Sequence, residues 1–238
     1  MVSSQKEDQL KYYNRQIQDY EKKGGLLARA LNRAYQRKAN IILSKLYEPK
    51  IGRILEIGAG SGLMTYYLAE SYKNEIVALD LSSEMLEVAK GRLDQHNVTC
   101  AVGDGTNPEF AEDSFDAVIG VDIIHHLDDP RTAMKNWRRL VREGGQMVFL
   151  ETNVYNPINL RNIGVEHEVR SFLNTDKNLS LWAHDAGWGG VSAEPAPSFT
   201  PAGPSFLVPF FQLIDKVSPH IPYWKYMAAL WLLSADKK

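Results

Sequence analysis

A glycine-rich stretch at residues 54–62, ILEIGAGSG, carries the first residue types whose spacing suggests chemistry. An apolar run reaches Glu56 and is followed by Gly58, Gly60 and Gly62. Glycines let a chain turn tightly after a strand and approach a ligand with no Cβ in the way. A helix that begins there offers its N-terminus to an anionic group. The stretch therefore predicts a ligand-binding turn between a strand and a helix.

Single acidic residues also stand at the ends of three later apolar runs: Asp80, Asp104 and Asp122. In an open parallel sheet, ligands bind beyond the carboxyl ends of the strands, where the strand order reverses. At such an edge Asp80 could accept hydrogen bonds from both hydroxyls of a ribose, and Asp104 from an adenine amino group. Buried carboxylates usually have a partner. Acids at four successive strand ends therefore favour a nucleoside-bearing ligand over simple packing.

The glycine spacing separates two classes of nucleoside-bearing cofactor. A dinucleotide fingerprint, G-x-G-x-x-G, would place its last glycine at position 63, where this chain has Leu63. The pattern here is Glu-x-Gly-x-Gly-x-Gly and ends at Gly62. An oxidoreductase is therefore disfavoured, and S-adenosylmethionine is the better match.

A histidine pair follows the fourth acid, in VDIIHHLDDP at residues 121–130. Histidine titrates near neutral pH, and methyl transfer to a hydroxyl requires that the hydroxyl proton be removed. His125 and His126 are both candidate bases; alternatively, they pack beneath the cofactor or cap the next helix. His167, in GVEHEVRSF, is a further candidate. A metal site around it is disfavoured, because three adjacent ligands cannot all point at one ion in a regular helix or strand.

The rest of the chain supplies the elements that would position these residues. Short apolar runs alternate with helical periodicity, which predicts a doubly wound, mostly parallel seven-stranded sheet covered by helices on both faces. The predicted strands are 53–58, 75–81, 98–104, 115–123, 146–152, 191–198 and 226–237, and the predicted helices between them are 61–73, 82–95, 129–142, 178–187 and 204–218. Asp129 and Pro130 are expected to begin the third of these helices.

Two regions flank this predicted core within what we expect to be a single domain. Residues 1–50 predict an N-terminal helical arm that could act as a lid, and residues 51–153 predict the sheet core. Residues 154–238 predict a substrate-covering insertion together with the last strands of the same sheet. The insertion is rich in proline and in large apolar side chains, which would suit an apolar acceptor.

ILEIGAGSG, ALDLSSEML, VGDGTNPEFAEDSFDAV and REGGQMVFLE occur in an order and spacing that resemble class I S-adenosylmethionine-dependent methyltransferases. The resemblance covers roughly residues 50–152. It is strongest to the small-molecule branch, which includes ubiquinone/menaquinone-type, sugar O- and natural-product methyltransferases. It implies a Rossmann-like fold, S-adenosyl-L-methionine as cofactor and S-adenosyl-L-homocysteine as product.

The same resemblance implies a role for each matching residue. Glu56 would hold the turn or contact the cofactor's amino group through water, and Asp80 would bind the ribose. In several O-methyltransferases of this branch, one member of a similar histidine pair acts as the base. The implied cofactor-binding residues are Glu56, Gly58, Ala59, Gly60 and Gly62 near the methionine portion, Asp80 at the ribose, Leu81 and Met85 beside the adenine, Gly103, Asp104 and Gly105 at its amino edge, Val121 and Asp122 near the methionine amine, and Tyr13 and Tyr20 on the closing arm.

Composition and charge argue against a nucleic-acid partner and against a membrane-spanning segment. The 238 residues carry a net charge of −2, which gives no electrostatic footprint for nucleic acid. The lone cysteine, Cys100, lies in the apolar run VTCAV and is predicted to be buried. The longest apolar stretch, at 227–233, is too short to span a bilayer, and the N-terminus lacks the apolar core of a signal peptide. We therefore expect a cytoplasmic protein with no integral membrane segment and a small-molecule partner; a homodimer is compatible.

These observations predict an S-adenosylmethionine-dependent enzyme of natural-product type. Its acceptor is expected to be a hydroxyl on an apolar or aromatic metabolite, with a histidine as base. One alternative is a C-methyltransferase acting on a quinone- or polyketide-like molecule. Another is a cyclase or isomerase that binds the cofactor on the same fold without methylating, since fold does not fix function.

Overall fold

The computed structural model describes residues 26–46, 51–157, 159, 173–196 and 228–238, and strands alternate with helices along most of them. The helices are α1 Leu26–Lys45, α2 Leu63–Ser71, α3 Ser83–Leu93, α4 Pro130–Leu140 and α5 Asp176–Asp185. The strands are β1 Arg53–Ile57, β2 Glu75–Asp80, β3 Val98–Val102, β4 Phe115–Val121, β5 Val141–Thr152, β6 Gly189–Pro195 and β7 Leu230–Asp236, and a 3₁₀ turn at Ile124–His126 follows β4.

The strands form one sheet in the order β3-β2-β1-β4-β5-β7-β6. The first five run parallel to their neighbours, whereas β7 is antiparallel to both β5 and β6. The predicted seven-stranded, mostly parallel sheet is thus confirmed. The strand order reverses between β1 and β4, so the loops that leave these two strands flank the crevice where such sheets bind ligands.

Helices cover both faces of the sheet, which explains why the strands read as nearly continuous apolar runs. Successive side chains of a strand point to opposite faces. In β1, Ile54 packs with α1 and α2, while its neighbour Leu55 packs with α4 and α5. On the second face the Trp137 ring stacks on Phe149 at 4.7 Å between centroids. The core therefore lies in two layers on either side of the sheet.

Helix ends follow the side chains that the sequence supplies. The Ser82 hydroxyl accepts from the Met85 amide at 3.1 Å and begins α3. The Asp129 carboxylate accepts from two amides of the first turn of α4, as predicted, with Pro130 directly after it. These caps fix where α3 and α4 begin, at the sheet edge that carries the acids described above.

One burial prediction was wrong. Cys100 is only half-buried, because β3 is an edge strand with a neighbour on one side alone. The exposure of Val102, at 63%, has the same cause. An apolar run predicts a strand here, and it does not distinguish an edge strand from a central one.

Within the described residues, no helix is long and apolar enough to cross a membrane. The same part of the chain holds no group of three or more His, Cys, Asp or Glu residues arranged to bind a metal ion. The predictions for Tyr13, Tyr20 and His167, and for most of the proline-rich insertion, lie outside the described residues.

Candidate functional site

The turn after β1 has a backbone that favours glycine. Gly58, Gly60 and Gly62 have φ values of 74°, 55° and 73°, in the left-handed region. A Cβ on Gly58 would lie 2.8 Å from Ile123 Cδ1, and one on Gly62 would lie 2.8 Å from Ala89 Cβ. The turn is therefore held between the loop after β4 on one side and α3 on the other.

Asp80, at the end of β2, fixes this turn through both carboxylate oxygens. The Gly60 amide donates to Oδ2 at 2.7 Å, and the Ser82 amide donates to Oδ1 at 2.9 Å. Burial raises the pKa of Asp80, and these backbone donors partly offset the increase. Asp80 thus positions the glycine turn, a role the sequence did not predict, at the place where the sequence predicts ribose binding.

Glu56 is a buried carboxyl group that still has acceptor capacity. Only 3% of the residue is exposed, and its Oε2 has no hydrogen-bond partner among the described residues. Burial raises the pKa of Glu56 to about 7; the Asp80 charge adds to this rise, and the nearby Thr65 hydroxyl opposes it. A buried acceptor without a partner is unfavourable unless a ligand or solvent supplies a donor.

The predicted adenine side lies at the same edge. The Met85 methyl group sits 3.3 Å from the point where a Cβ on Gly60 would be, so α3 contributes an apolar wall beside the turn. Asp104 Oδ1 accepts from the Thr106 amide at 2.9 Å and from its hydroxyl at 2.8 Å. The Gly105 carbonyl accepts from Trp137 Nε1 at 2.7 Å. The loop after β3 is thus anchored to α4 and folded around Asp104.

Asp122, directly after β4, combines a strained backbone with a compensated charge. Its φ of 51° is unusual for a residue with a side chain, and such strain tends to occur at functional sites. Lys38 Nζ lies 2.7 Å from Oδ2, and the Thr152 hydroxyl donates to Oδ1 at 2.8 Å. Burial alone would raise the pKa of Asp122, but the charges of Lys38 and His125 and the hydrogen bonds from Lys38 and Thr152 together outweigh it, and the pKa is lowered.

His125 is buried next to a fully buried carboxylate. Its Nδ1 lies 3.0 Å from Glu151 Oε2, and the Asn174 amide group donates to the same oxygen at 2.7 Å. The other oxygen of Glu151 accepts from the backbone amides of Ile123 and Ile124, both at 2.8 Å. Glu151 therefore orients the imidazole and holds the 3₁₀ turn that carries it.

His126 differs from its neighbour in its environment. Its ring centroid lies 3.9 Å from that of His125, with the planes tilted by 49°. Burial, with a contribution from His125, lowers the pKa of His126 to about 3. His126 is therefore neutral near pH 7 and a weak proton acceptor.

The structure brings most of the predicted residues to one edge of the sheet and adds others that the sequence did not reveal. The additional residues are Lys38, Glu151, Thr152 and Asn174. Glu151 had a detectable signal, because an acid within the apolar run MVFLET needs a buried partner. Lys38 had none, since it lies 84 residues before Asp122.

These features fit a ligand that carries an amino group and a positive charge. Glu56 is buried and Asp80 is half-buried at this edge, and no lysine or arginine in the described part of the chain forms a salt bridge with either. Glu56 Oε2 lacks a hydrogen-bond donor among the described residues. These carboxylate acceptors therefore suit the sulfonium and the amino group of S-adenosylmethionine.

Comparisons with known proteins also support the assignment to S-adenosylmethionine. Residues 55–149 match the family described as "Methyltransferase domain". Demethylmenaquinone methyltransferase of Renibacterium salmoninarum is 28% identical over 164 residues, which are 59% of this chain and 68% of that protein. Ubiquinone biosynthesis O-methyltransferase of Alkalilimnicola ehrlichii is 34% identical over 104 residues, 42% of each protein.

The fold is also shared with solved methyltransferase structures. A Haloferax volcanii methyltransferase in complex with the Trm112 activator superposes with a TM-score of 0.65 at 17% identity, over 90% of this chain and 98% of that one. The glycine turn, the acids at the strand ends and the family match over residues 55–149 agree. Residues 55–149 of this chain therefore form a methyltransferase domain of the S-adenosylmethionine-dependent kind.

Proposed function

We propose that this chain transfers a methyl group from S-adenosylmethionine to a hydroxyl on an apolar or aromatic small molecule, and that His125 accepts the hydroxyl proton. The observation that carries the proposal is the His125–Glu151 contact of 3.0 Å at the end of β4. The adjacent Ile123 packs on Gly58, so this pair lies beside the glycine turn.

S-adenosylmethionine, when bound, supplies an electrophilic methyl group on a sulfonium, and in-line displacement leaves S-adenosylhomocysteine. The residues of this chain would orient the acceptor and handle its proton. With Nδ1–H donated to Glu151, the imidazole presents Nε2 as the proton acceptor, since the partner of one ring nitrogen sets the tautomer. The buried Glu151 carboxylate then stabilises the imidazolium that forms.

The choice of His125 over His126 rests on electrostatics. A general base works best when its pKa lies near the working pH. Burial places the pKa of His126 at about 3, far below that range. His125 has a carboxylate partner, which favours the protonated ring. We therefore assign the base to His125, while His126 packs against its ring.

We further propose that the cofactor occupies the crevice beside the glycine turn. Glu56 would receive the cofactor's amino group, and the backbone at Val121 and Asp122 would approach it from β4. Asp80 would bind the ribose hydroxyls with the lone pairs that the turn leaves available. The adenine would lie among Leu81, Met85, Gly103, Asp104 and Gly105, with Gly58, Ala59, Gly60 and Gly62 beneath the methionine portion.

C-methylation is the second candidate. It is favoured by the similarity to demethylmenaquinone methyltransferase, whereas the similarity to ubiquinone biosynthesis O-methyltransferase favours oxygen. Product analysis with phenol and quinol acceptors separates the two, because O- and C-methylated products have the same mass and different fragmentation. A non-methylating enzyme would release no S-adenosylhomocysteine with any acceptor.

The test compares His125→Asn with His126→Asn on the best acceptor from a panel of phenols, quinols and glycosides. Loss of a general base typically lowers turnover by about 10²–10⁴-fold. We expect this loss for His125→Asn, less than about tenfold for His126→Asn, and unchanged cofactor affinity in both. Equal turnover in the two variants would contradict the assignment.

A further inference from the structure

Lys38 of α1 brings a positive charge to the β4 side of the crevice. Its Nζ lies 2.7 Å from Asp122 Oδ2, and only 19% of its side chain is exposed. Burial lowers the pKa of Lys38, but the charges of Asp122, Tyr35 and Glu151 outweigh it, and the pKa is raised. Lys38 therefore remains protonated at neutral pH although it is largely buried.

Four amides of the glycine turn already donate hydrogen bonds within the protein. The Gly58 and Ala59 amides donate to the Leu79 carbonyl at 2.9 and 3.0 Å. The Gly60 amide donates to Asp80, and the Gly62 amide donates to the Ala59 carbonyl at 3.0 Å. An anionic group of a ligand at this turn therefore cannot use these four amides and needs other donors. Nearby carboxylates make that requirement stronger, because like charges repel.

Lys38 has N–H donors that could bind such an anionic group. An ammonium group carries three N–H donors, and the described residues engage one of them, at Asp122. The Tyr35 ring lies 5.3 Å from Nζ and supports the cation from the helix side. Asp122 precedes Ile123, which packs on Gly58, so Lys38 stands next to the methionine side of the predicted site.

A second cation, Arg92, contacts the turn from the opposite side. Its guanidinium donates to the Ser61 carbonyl, and lies 3.2 Å from the Ser61 hydroxyl. Arg92 belongs to α3, as does Met85, which lies on the adenine side. Arg92 therefore anchors the turn on that side, and Lys38 is the cation on the side where an amino-acid moiety would lie.

We infer that Lys38 binds the carboxylate of the cofactor's methionine portion and bridges it to Asp122. The inference rests on the proposed use of S-adenosylmethionine. It pairs each charge of the amino-acid moiety with an opposite one: Glu56 faces the ammonium, and Lys38 faces the carboxylate. It also gives α1 a direct role in cofactor binding.

The test measures calorimetric binding of S-adenosylhomocysteine and of its decarboxylated analogue, S-adenosyl-3-thiopropylamine, to the full chain. A hydrogen bond between two charged groups corresponds to about 10- to 100-fold in affinity. We expect Lys38→Met to weaken S-adenosylhomocysteine binding by that factor and to leave the analogue within about threefold. Lys38→Arg should recover most of the loss. Lys45→Met, which removes an exposed lysine of the same helix paired with Glu194, should change neither.

A double variant excludes an indirect effect. Lys38→Met leaves the Asp122 charge without its partner, and that charge could itself repel a carboxylate. If repulsion were the cause, Lys38→Met with Asp122→Asn would bind S-adenosylhomocysteine as the wild type does, and the inference would fall. Direct binding predicts that the double variant stays weak for S-adenosylhomocysteine while still binding the analogue. Analogue binding also reports an intact fold, and Lys38→Gln provides a second, less apolar replacement.

Other outcomes are equally decisive. Equal weakening of both ligands by Lys38→Met would reduce Lys38 to a positioning residue and overturn the inference. Tighter binding of either ligand would show that Lys38 competes with the cofactor's ammonium for Asp122, and would also overturn it. If the wild-type chain bound neither ligand, the proposed function itself would fail, which differs from a wild type that binds both with no effect of Lys38.

Discussion

The two sides of the crevice hold their negative charges in different ways. On the β1–β2 side, Glu56 is buried and Asp80 half-buried, no lysine or arginine of the described residues pairs with them, and the pKa of each is raised. On the β4–β5 side, Asp122 pairs with Lys38 and Glu151 contacts His125. We call the carboxylates of the first side uncompensated, because no cationic side chain of the described residues pairs with them. The carboxylates of the second side are compensated, because Lys38 and His125 pair with them.

This difference implies different sensitivities. An uncompensated carboxyl group responds to pH and to a cationic ligand, because burial disfavours its charged form. A compensated group responds most strongly when its partner is removed, because the remaining charge or donors are then buried alone. The following predictions test that contrast, starting with the largest expected effect.

Glu151→Ala should cause the largest loss of stability. The change leaves the amides of Ile123 and Ile124, the His125 ring and the Asn174 amide group without their common acceptor. Breaking a buried pair of this kind costs about 3–5 kcal/mol. Urea unfolding of the variant measures the loss. Glu194→Ala, on an exposed ion pair, should stay within about 1 kcal/mol. Similar losses in both variants would mean that the β4–β5 side is not a compensated cluster.

Glu56 should make stability depend on pH. Its pKa is about 7 in the folded chain, against a usual value of 4.5. The folded state therefore binds the proton more tightly than the unfolded state, and stability falls as pH rises from about 4.5 to about 7. This contribution amounts to roughly 3 kcal/mol. Glu56→Gln should remove it, so the variant should gain stability over the wild type as pH rises.

The check is urea unfolding of the ligand-free wild type and of Glu56→Gln across this pH range. Taking the difference between the two proteins removes the opposite contribution of His126, whose lowered pKa destabilises the fold towards acidic pH. A difference that stays constant with pH would mean that Glu56 is already compensated in the folded chain.

Gly62→Ala should lower stability by about 2 kcal/mol. Its φ of 73° disfavours a side chain, and a Cβ would lie 2.8 Å from that of Ala89 and 3.2 Å from the Ala89 backbone. Gly91 is the matched control, because it lies within α3 with nothing within 4 Å of its Cβ position. Gly91→Ala should stabilise by about 0.5–1 kcal/mol. Thermal unfolding of both variants measures the two shifts, and shifts of the same sign would contradict the geometry of the turn.

Asp80→Asn should have the smallest effect, on cofactor affinity. The amide keeps one acceptor for the turn and loses the charge, which should weaken S-adenosylmethionine binding by about 1–2 kcal/mol, roughly tenfold. Asp94→Asn, an exposed position at the end of α3, is the control and should bind normally. Calorimetric titration measures both. Unchanged affinity in Asp80→Asn would remove Asp80 from the cofactor site.

The β1–β2 side could be predicted from the sequence because its parts belong to one strand–helix–strand unit. Gly60 and Asp80 are 20 residues apart and meet wherever β1 and β2 pair in parallel. The glycine spacing and the acid at the end of β2 were therefore sufficient. The sheet itself was predictable for the same reason, since its strands are apolar runs separated by helical periodicity.

The β4–β5 side depends on contacts that only the strand order creates. Glu151 meets His125 because β5 lies beside β4, with Leu150 paired to Val121. Lys38 contacts Asp122 because α1 packs on one face of the sheet, which brings Lys38 to the end of β4. Glu151 stands out as an acid within an apolar run, but no local pattern identifies its partner, and neither lysine nor asparagine is unusual in its own segment. The sequence thus indicated the histidines without the carboxylate that distinguishes them.

Calorimetric titration of the purified chain with S-adenosylmethionine, S-adenosylhomocysteine and NAD tests the central claim most directly. The uncompensated edge beside the glycine turn predicts affinity on the order of micromolar for the first two ligands and no detectable binding of NAD. Binding of NAD in their place, or of none of the three, would contradict the assignment of this edge to S-adenosylmethionine.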